Sequence, residues 1–494
     1  MLWGLEIGQL FWDEDRRNSY FFFSPDYFKT GYDISPILFP KGSRESRWAI
    51  YGNKEEKIYQ GLPPFLADSL PDKWGNAIFN DWFEKMRYRE KDKNPLTKLS
   101  FIGNTAMGAL EFIPMYDKGD TGSAVNMEEL YKEAKLFEQK LSGQAVKDDE
   151  DMTTEALLHL GTSPGGSRSK AIVSRTPEGV FVSGKTALDP AFKHYLIKFN
   201  APEYSISETE FTYHQLAVTA GIRMMPCELL TIKGTKHFMT ERFDRMDGEK
   251  VFMQTLAAIN PCEESYEELF RTCRYLNLDA PQMEEMFRRT AFNILMNNTD
   301  DHRKNFSFIM SKDGTWSLAP HYDVTFILET GNTPCRTHCM SLRGKREDIG
   351  IEDLLLFAED NGIKHAQRII DRIVESSREF PKLAKENGIR PDIAEIIENR
   401  LSELRPAAEF NATKSRHRTF RTKDGKHISD ARFERSMKGN IHLVAKVNGF
   451  ERKYVFTPKR AEYNKILESG FNDMTLEEFK KYIETFLISR TPTW

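Results

Sequence analysis

The stretch "NNTDDHRKN", Asn297 to Asn305, constrains this chain more than any other. It follows "QMEEMFRRTAFNILM", in which Met283, Met286, Phe287, Ala291, Ile294 and Leu295 recur at helical spacing and so predict a helix with one buried face. A rigid element therefore delivers two adjacent carboxylates, a His, a Lys and an Asn to one place. After it, "FSFIM", the turn "SKDG" and "TWSLAP" read as a hairpin that carries the chain out and back. "HYDV" at His321 to Val324 comes next, so Asp300, Asn305 and Asp323 are expected to converge.

An Asp, an Asn shortly after it and a second Asp beyond a hairpin is the spacing of phosphoryl-transfer sites. There one Asp accepts the proton of the substrate hydroxyl, and the Asn and second Asp hold Mg²⁺ against the phosphates. Mg²⁺ prefers hard oxygen ligands and keeps part of its water, so one or two side-chain oxygens suffice. The order along the chain agrees: "GTSPGGSRSK" supplies Gly161, Gly165 and Gly166, the strand "YLIKF" carries Lys198, and the next helix carries Glu208 and Glu210. Such a site needs a Gly-rich loop, a strand Lys and a helix Glu in this order. Each part has a plainer meaning as well, since a Lys at a strand end can snorkel to solvent and Gly-Gly marks ordinary turns. The polar cluster also admits a metal hydrolase with Asp300, Asp301, His302, His321 and Asp323 as ligands, which would need neither Gly-rich loop nor Lys198. His302 and His321 read more simply as hydrogen-bonded scaffolding for the two acidic loops.

Taken in order, the motifs resemble one family, the HipA-type serine/threonine kinases of bacterial type II toxin–antitoxin systems. "GLPPFLADSLPDKWG" resembles the family's N-terminal module, "GTSPGGSRSKA" its Gly-rich loop and "ERFDR" its hinge. "NNTDDHRKNFSFI" resembles its catalytic loop, "HYDV" its metal-binding motif and "CMSLRGK" a segment soon after. The resemblance implies an α+β, two-lobed protein-kinase-like fold with an N-terminal module. It further implies Asp300 as catalytic base, Lys304 neutralising the transferred phosphoryl group, Asn305 and Asp323 as Mg²⁺ ligands, and Lys198 on the ATP phosphates. Glu210, or less simply Glu208, would hold Lys198. Glu241 and Phe243 would border the adenine with Gln254 nearby, and Ser163, Gly165 and Gly166 would lie over the nucleotide. Ser163 stands where the family carries a self-phosphorylated, inactivating serine; Thr162, Ser167 and Ser169 are alternatives. Implied partners are a protein substrate, by resemblance an aminoacyl-tRNA synthetase, and a small DNA-binding antitoxin. A catalytically silent nucleotide-binding scaffold acting with that antitoxin is the competing reading. Two departures stand out: Thr255 and Leu256 replace acidic residues that often follow the hinge Gln, and the Asp300–Asp301 doublet offers two candidates, of which Asp300 has the right spacing from Asn305.

At 494 residues the chain exceeds one ordinary domain. The expected units are an aromatic-rich N-terminal module of its own (1–140), a small lobe (152–261), a helical large lobe (262–408) and an extension (409–494). In the extension, "RHRTFRTKDGKH" looks like a basic linker, and "IHLVAKVNGFERKYVF" reads as a hairpin around Asn448-Gly449. Thr475 and Glu478 have the spacing of a capping box for a closing helix, giving a ββα-type extension. A formal charge of −4 excludes a global field for nucleic acid or membrane, although Lys414, Arg416, Arg418, Arg421, Lys423 and Lys426 form a local basic stretch open to DNA phosphates or to solvent alone. Five Cys and no membrane-length apolar run fit a reducing compartment, the cytoplasm. Cys335, His338 and Cys339 offer half of a zinc site with no second pair to complete it.

Overall fold

Strand-forming runs such as "KAIVSR" and "KHYLIK" build a five-stranded antiparallel sheet in the order Phe181–Ser183, Lys170–Arg175, Lys193–Lys198, Thr235–Glu241, Cys227–Ile232. Its register sets Lys170 opposite Lys198. The helix Ile206–Thr219 packs on this small lobe and buries Glu210, Tyr213, Leu216 and Ala217. The computed structural model describes residues 1–116, 124–143, 157, 168–184, 189–329 and 332–405, and four strands beyond them. The chain divides into two units, Met1–Leu404 and Arg405–Trp494.

The large lobe holds the helices Tyr266–Tyr275, Ala280–Leu295, Ile351–Asp360, Ala366–Ser377, Phe380–Asn387 and Pro391–Leu404. Ala280–Leu295 is the helix that the apolar spacing predicts: Asp279 caps it by accepting from the Gln282 amide (3.1 Å), and Met286, Phe287, Ala291, Ile294 and Leu295 are buried. The predicted hairpin follows as Ser307–Met310 paired with Trp316–Leu318, and Phe252–Thr255 pairs on its other side.

Among the described residues, the apolar side chains of the N-terminal segment enter two cores that it shares with the lobes. Its sheet, Gly8–Asp13, Asn18–Phe23 and Ile50–Tyr51, contributes Phe21 and Phe23, and the short helix Pro64–Ala67 contributes Phe65, to the core that the large lobe shares with the helix Ile206–Thr219. Its helices Lys73–Lys85, Pro95–Ile102 and Met127–Leu141 contribute Trp74, Ile78, Trp82 and Phe137 to a second core, shared with Ala171, Val173, Ile197 and Met239 of the small lobe. The aromatic side chains it carries are too large a surface for one short segment to cover by itself, and both lobes supply the missing cover.

The second unit contains a four-stranded antiparallel sheet, Arg418–Arg421, His427–Arg435, Ile441–Val447 and Phe450–Phe456 in that order. The expected hairpin is there, closing with Val447 opposite Phe450. Two further strands precede it: Arg418–Arg421 lies within the stretch read as a basic linker, and His427–Arg435 begins at the last residue of that stretch. A register shift between Ser429 and Arg432 breaks the period of two that would have announced the second of them. The predicted helix from Thr475, and Lys414, Arg416, Lys423 and Lys426, lie outside the described residues.

Candidate active site

The loop after Ala280–Leu295 turns at Asn297, which has φ of 52° and sits buried. Two neighbours then face opposite ways. Asp301 is 1% exposed and accepts from the Tyr266 hydroxyl (2.6 Å), the His338 Nδ1 (2.9 Å) and the amides of Cys339 (2.8 Å) and Met340 (3.2 Å). With its oxygens so occupied, Asp301 anchors the loop. Asp300 keeps 46% of its side chain exposed, with His302 Nε2 at 3.7 Å. Partial burial raises its pKa, His302 opposes that shift and the nearby Asp323 adds to it.

Asn305 donates its amide nitrogen to the Asp300 carbonyl (2.7 Å), and its amide oxygen accepts no hydrogen bond among the described residues. Tyr322 ties the two loops together: its hydroxyl donates to the Lys304 carbonyl (2.7 Å) and shares a hydrogen bond with Ser307 Oγ (2.5 Å). Asp323, with φ of 58°, is thereby aimed across the cleft at Lys198, with which it forms an ion pair. Lys198 Nζ also meets Glu210 Oε1 at 2.5 Å, and Arg168 lies 3.9 Å from the other Glu210 oxygen. Burial alone would lower the Lys198 pKa, but Asp323 and Glu210 outweigh it and raise the value. Burial would raise Asp323, and Lys198 instead holds it well below the usual carboxylate range. Glu210 is pushed up by burial, which Lys198 only partly offsets. Lys198 is thus protonated and Asp323 ionised at neutral pH. The expected ion pair with Glu210 is present, while Glu208 turns to Asn200 Nδ2 (3.0 Å).

Lys198, Glu210, Asn305, Tyr322 and Asp323 line a cleft between the lobes of about 1230 Å³, counting its open mouth, and Asp300 is not among its lining residues. Its inner wall is apolar, with Leu196, Phe238, Met224, Met225, Met253 and Phe243, the last stacked on Tyr322 at 5.8 Å. Glu241 borders the cleft, with its carboxylate toward Lys193 Nζ (2.5 Å). Lys304 lies on the cleft wall and makes no ion pair among the described residues. Gln254 is not brought to this site: Met253 and Thr255 line the cleft, so the intervening side chain points the other way and donates to the Phe65 carbonyl (3.3 Å). Ser163, Gly161, Gly165 and Gly166 lie outside the described residues.

His302 acts as scaffolding as expected, its Nδ1 accepting from the Lys304 amide (3.2 Å). His321 does not. Among the described residues neither of its ring nitrogens has a hydrogen-bond partner; the ring stacks on Phe306 (6.3 Å) and the position is fixed through the backbone, whose amide donates to the Arg223 carbonyl (2.8 Å). Burial keeps the ring neutral. The metal-hydrolase arrangement fails with it: among the described residues no group of three or more His, Cys, Asp and Glu side chains is placed to hold a metal. His338 is spent on Asp301, away from any zinc site with Cys335 and Cys339. Two cleft residues had no forewarning in the sequence. Asp68 accepts from the Thr255 amide (2.7 Å) and hydroxyl (2.8 Å), and Tyr322 locks the loops.

Fold and cleft together define a two-lobed, kinase-like protein carrying an N-terminal segment that packs on both lobes. Residues 1–113 match the HipA N-terminal domain and residues 162–380 the HipA-like C-terminal domain, and the chain belongs to the HipA-type family. Among solved structures it is similar to the HipA toxin of Shewanella oneidensis MR-1, solved with HipB and operator DNA, with a TM-score of 0.55 and 17% identity over 82% of this chain and 95% of that one. This shows the fold. Among curated proteins, one of Haemophilus influenzae named "Putative kinase" is 27% identical over 151 residues, 26% of this chain. "Putative kinase Y4mE" of Sinorhizobium fredii is 28% identical over 247 residues, 44% of this chain. The chain spans 44% and 56% of the length of these two relatives.

Proposed function

We propose that this protein is an ATP- and Mg²⁺-dependent kinase that phosphorylates Ser or Thr of a protein substrate. The observation that carries the proposal is Lys198 held between Glu210 and Asp323 in the cleft that Asn305 lines, with the Asp300 loop beside it. The free amide oxygen of Asn305 and the ionised carboxylate of Asp323 are the two hard oxygens that would hold Mg²⁺. The ion, when bound, supplies positive charge against the phosphates. Lys198 binds and orients the inner phosphates, and Glu210 keeps its ammonium in place. Asp300, exposed toward solvent, accepts the proton of the substrate hydroxyl, while Lys304 balances charge on the phosphoryl group in transit. The apolar wall and Phe243 hold the base and exclude water from it. The Ser163 switch follows the resemblance: a phosphate there adds negative charge to the segment that faces the ATP phosphates, and repulsion drives it off.

By the same family likeness, the substrate is an aminoacyl-tRNA synthetase and the partner a small DNA-binding antitoxin. The Shewanella protein, solved with HipB and DNA, supports the second of these. No helix among the described residues is long and apolar enough to cross a membrane, which is in keeping with action in the cytoplasm. Purified wild type and Asp300→Ala, given labelled ATP and Mg²⁺, test the reading. Transfer falls on the order of 100- to 10,000-fold in the variant while nucleotide binding persists. A wild type that binds nucleotide and transfers nothing is the silent scaffold instead. Ser163→Ala should lose incorporated phosphate and stay active longer.

A further inference from the structure

Asp68 and Asp72 belong to one short segment, "FLADSLPD", and each grips a different lobe. Asp72 caps the helix Lys73–Lys85 by accepting from the Gly75 amide (2.7 Å), and its other oxygen pairs with Lys170, the two side chains being 5% and 1% exposed. Lys170 begins the small-lobe strand that runs beside Lys198. Asp68 takes both donors of Thr255, the last residue of the strand that pairs with Ser307–Met310, just past Asn305. Nearby, the Tyr59 hydroxyl donates to the Ala257 carbonyl (2.8 Å), again in the large lobe. The hinge between the lobes is held as well. The Gly108 amide donates to Asp244 (2.7 Å), and Arg245 donates to the Ala106 (2.8 Å) and Gly108 (2.9 Å) carbonyls.

The apolar contacts of the segment also reach both sides: the N-terminal sheet packs in the core that the large lobe shares with the helix Ile206–Thr219, and the N-terminal helices pack in a second core with the small-lobe sheet. Pro71 stiffens the segment between the grips, and Pro63 and Pro64 stiffen its approach. Rotation of one lobe on the other must therefore break a buried ion pair or strip Thr255 of its acceptor. We propose that Phe65–Asp72 is a brace that sets the separation of the lobes, which makes Asp68 and Asp72 positioning residues for phosphoryl transfer. Through them a segment belonging to neither lobe sets the distance from Lys198 to Asn305 and Asp323 together with the direct contacts of the helix Ile206–Thr219, whose Leu216 carbonyl accepts from Ser376 Oγ (2.6 Å) and whose Thr212 accepts from Asn387 Nδ2 (2.8 Å). This rests on the kinase reading for its consequence, though the brace itself is a matter of geometry.

Fluorophores placed at the exposed positions Val180 in the small lobe and Tyr275 in the large lobe report the separation in the full chain, with and without MgATP. Asp72→Asn should lengthen and broaden the distance distribution and lower transfer on the order of 10- to 100-fold, the usual cost of misplaced reacting groups. Thr255→Val, a milder change that weakens only the large-lobe grip, should shift both readouts the same way by less, and it keeps the test open if Asp72→Asn does not fold. Variants that melt earlier but keep the wild-type distance distribution overturn the brace and leave the ion pair as mere stabilisation. A wild type without transfer would sink the kinase reading while leaving the distance result to stand on its own.

Discussion

Two clusters of buried charge in the same unit do opposite things. At the hinge, Arg242, Asp244 and Arg245 have side chains no more than 2% exposed, and the Asp244 oxygens accept from both guanidiniums and from the Gly108 amide. Burial works to raise the Asp244 pKa, yet Arg242 and Arg245 hold it well below the usual carboxylate range. In the cleft, Lys198 meets Glu210 and Asp323, and Arg168 lies 3.9 Å from Glu210; the side chain of Lys198 is 14% exposed, that of Glu210 2% and that of Asp323 21%. The first cluster is closed off from solvent. The second is open on one side, where Asp323 and the amide oxygen of Asn305 can receive a cation. Enclosure, more than the number of charges, separates a structural network from a site.

Breaking each cluster should separate them most sharply. Asp244→Ala leaves two guanidiniums buried without a counter-charge and should cost about 3–5 kcal/mol in denaturant unfolding. Lys198→Met leaves Glu210 buried at 2% exposed, with Arg168 3.9 Å from its other oxygen, and Asp323 21% exposed, and should cost less than Asp244→Ala and yet abolish transfer. Equal losses of stability in the two variants would erase the distinction. A smaller effect concerns His194, which donates to or accepts from Ser174 Oγ (2.8 Å) on the small-lobe sheet. Burial lowers its pKa from 6.5 to about 4, and Arg242 and Arg245 add to this. The folded state therefore favours the neutral ring, and the unfolded chain takes up the proton first as pH falls. Stability should drop by up to ~1.4 kcal/mol per pH unit below 6.5, levelling off near 4, and urea titrations of wild type and His194→Gln should draw together over that window. The smallest effect belongs to Lys345→Ala. Its bridge to Asp353 (2.8 Å) is half exposed, so removing it should change stability by ~0.5 kcal/mol, within the scatter of a thermal melt.

How much of this was legible beforehand varies with the range of the interactions. Local periodicity announced the helix ahead of the loop, and the hairpin after it brought Asp323 back toward Asn305. The choice between Asp300 and Asp301 rested on spacing alone, and the structure gives it a physical form: one carboxylate faces solvent and the other is saturated by Tyr266, His338 and two amides. The misplaced Gln254 was within reach of the sequence, because strand alternation sets it opposite Met253 and Thr255. Asp68 was not. Its partner Thr255 lies 187 positions away, and nothing local distinguishes a capping carboxylate from one that reaches across a fold. His321 misled for a related reason, since a ring buried without hydrogen bonds leaves no trace in residue type.

The tie made by Tyr322 bears on which small molecules fit this cleft. Because its phenol joins the carbonyl of Lys304 to the hydroxyl of Ser307, swinging the Asp323 loop outward means pulling an aromatic ring off Phe243 and parting two polar partners at once. Inhibitors designed around an out-turned loop will find no vacancy to enter. Flat heteroaromatic compounds that slide between Met225, Met253 and Phe243, leaving the loop undisturbed, suit the shape that the chain already offers.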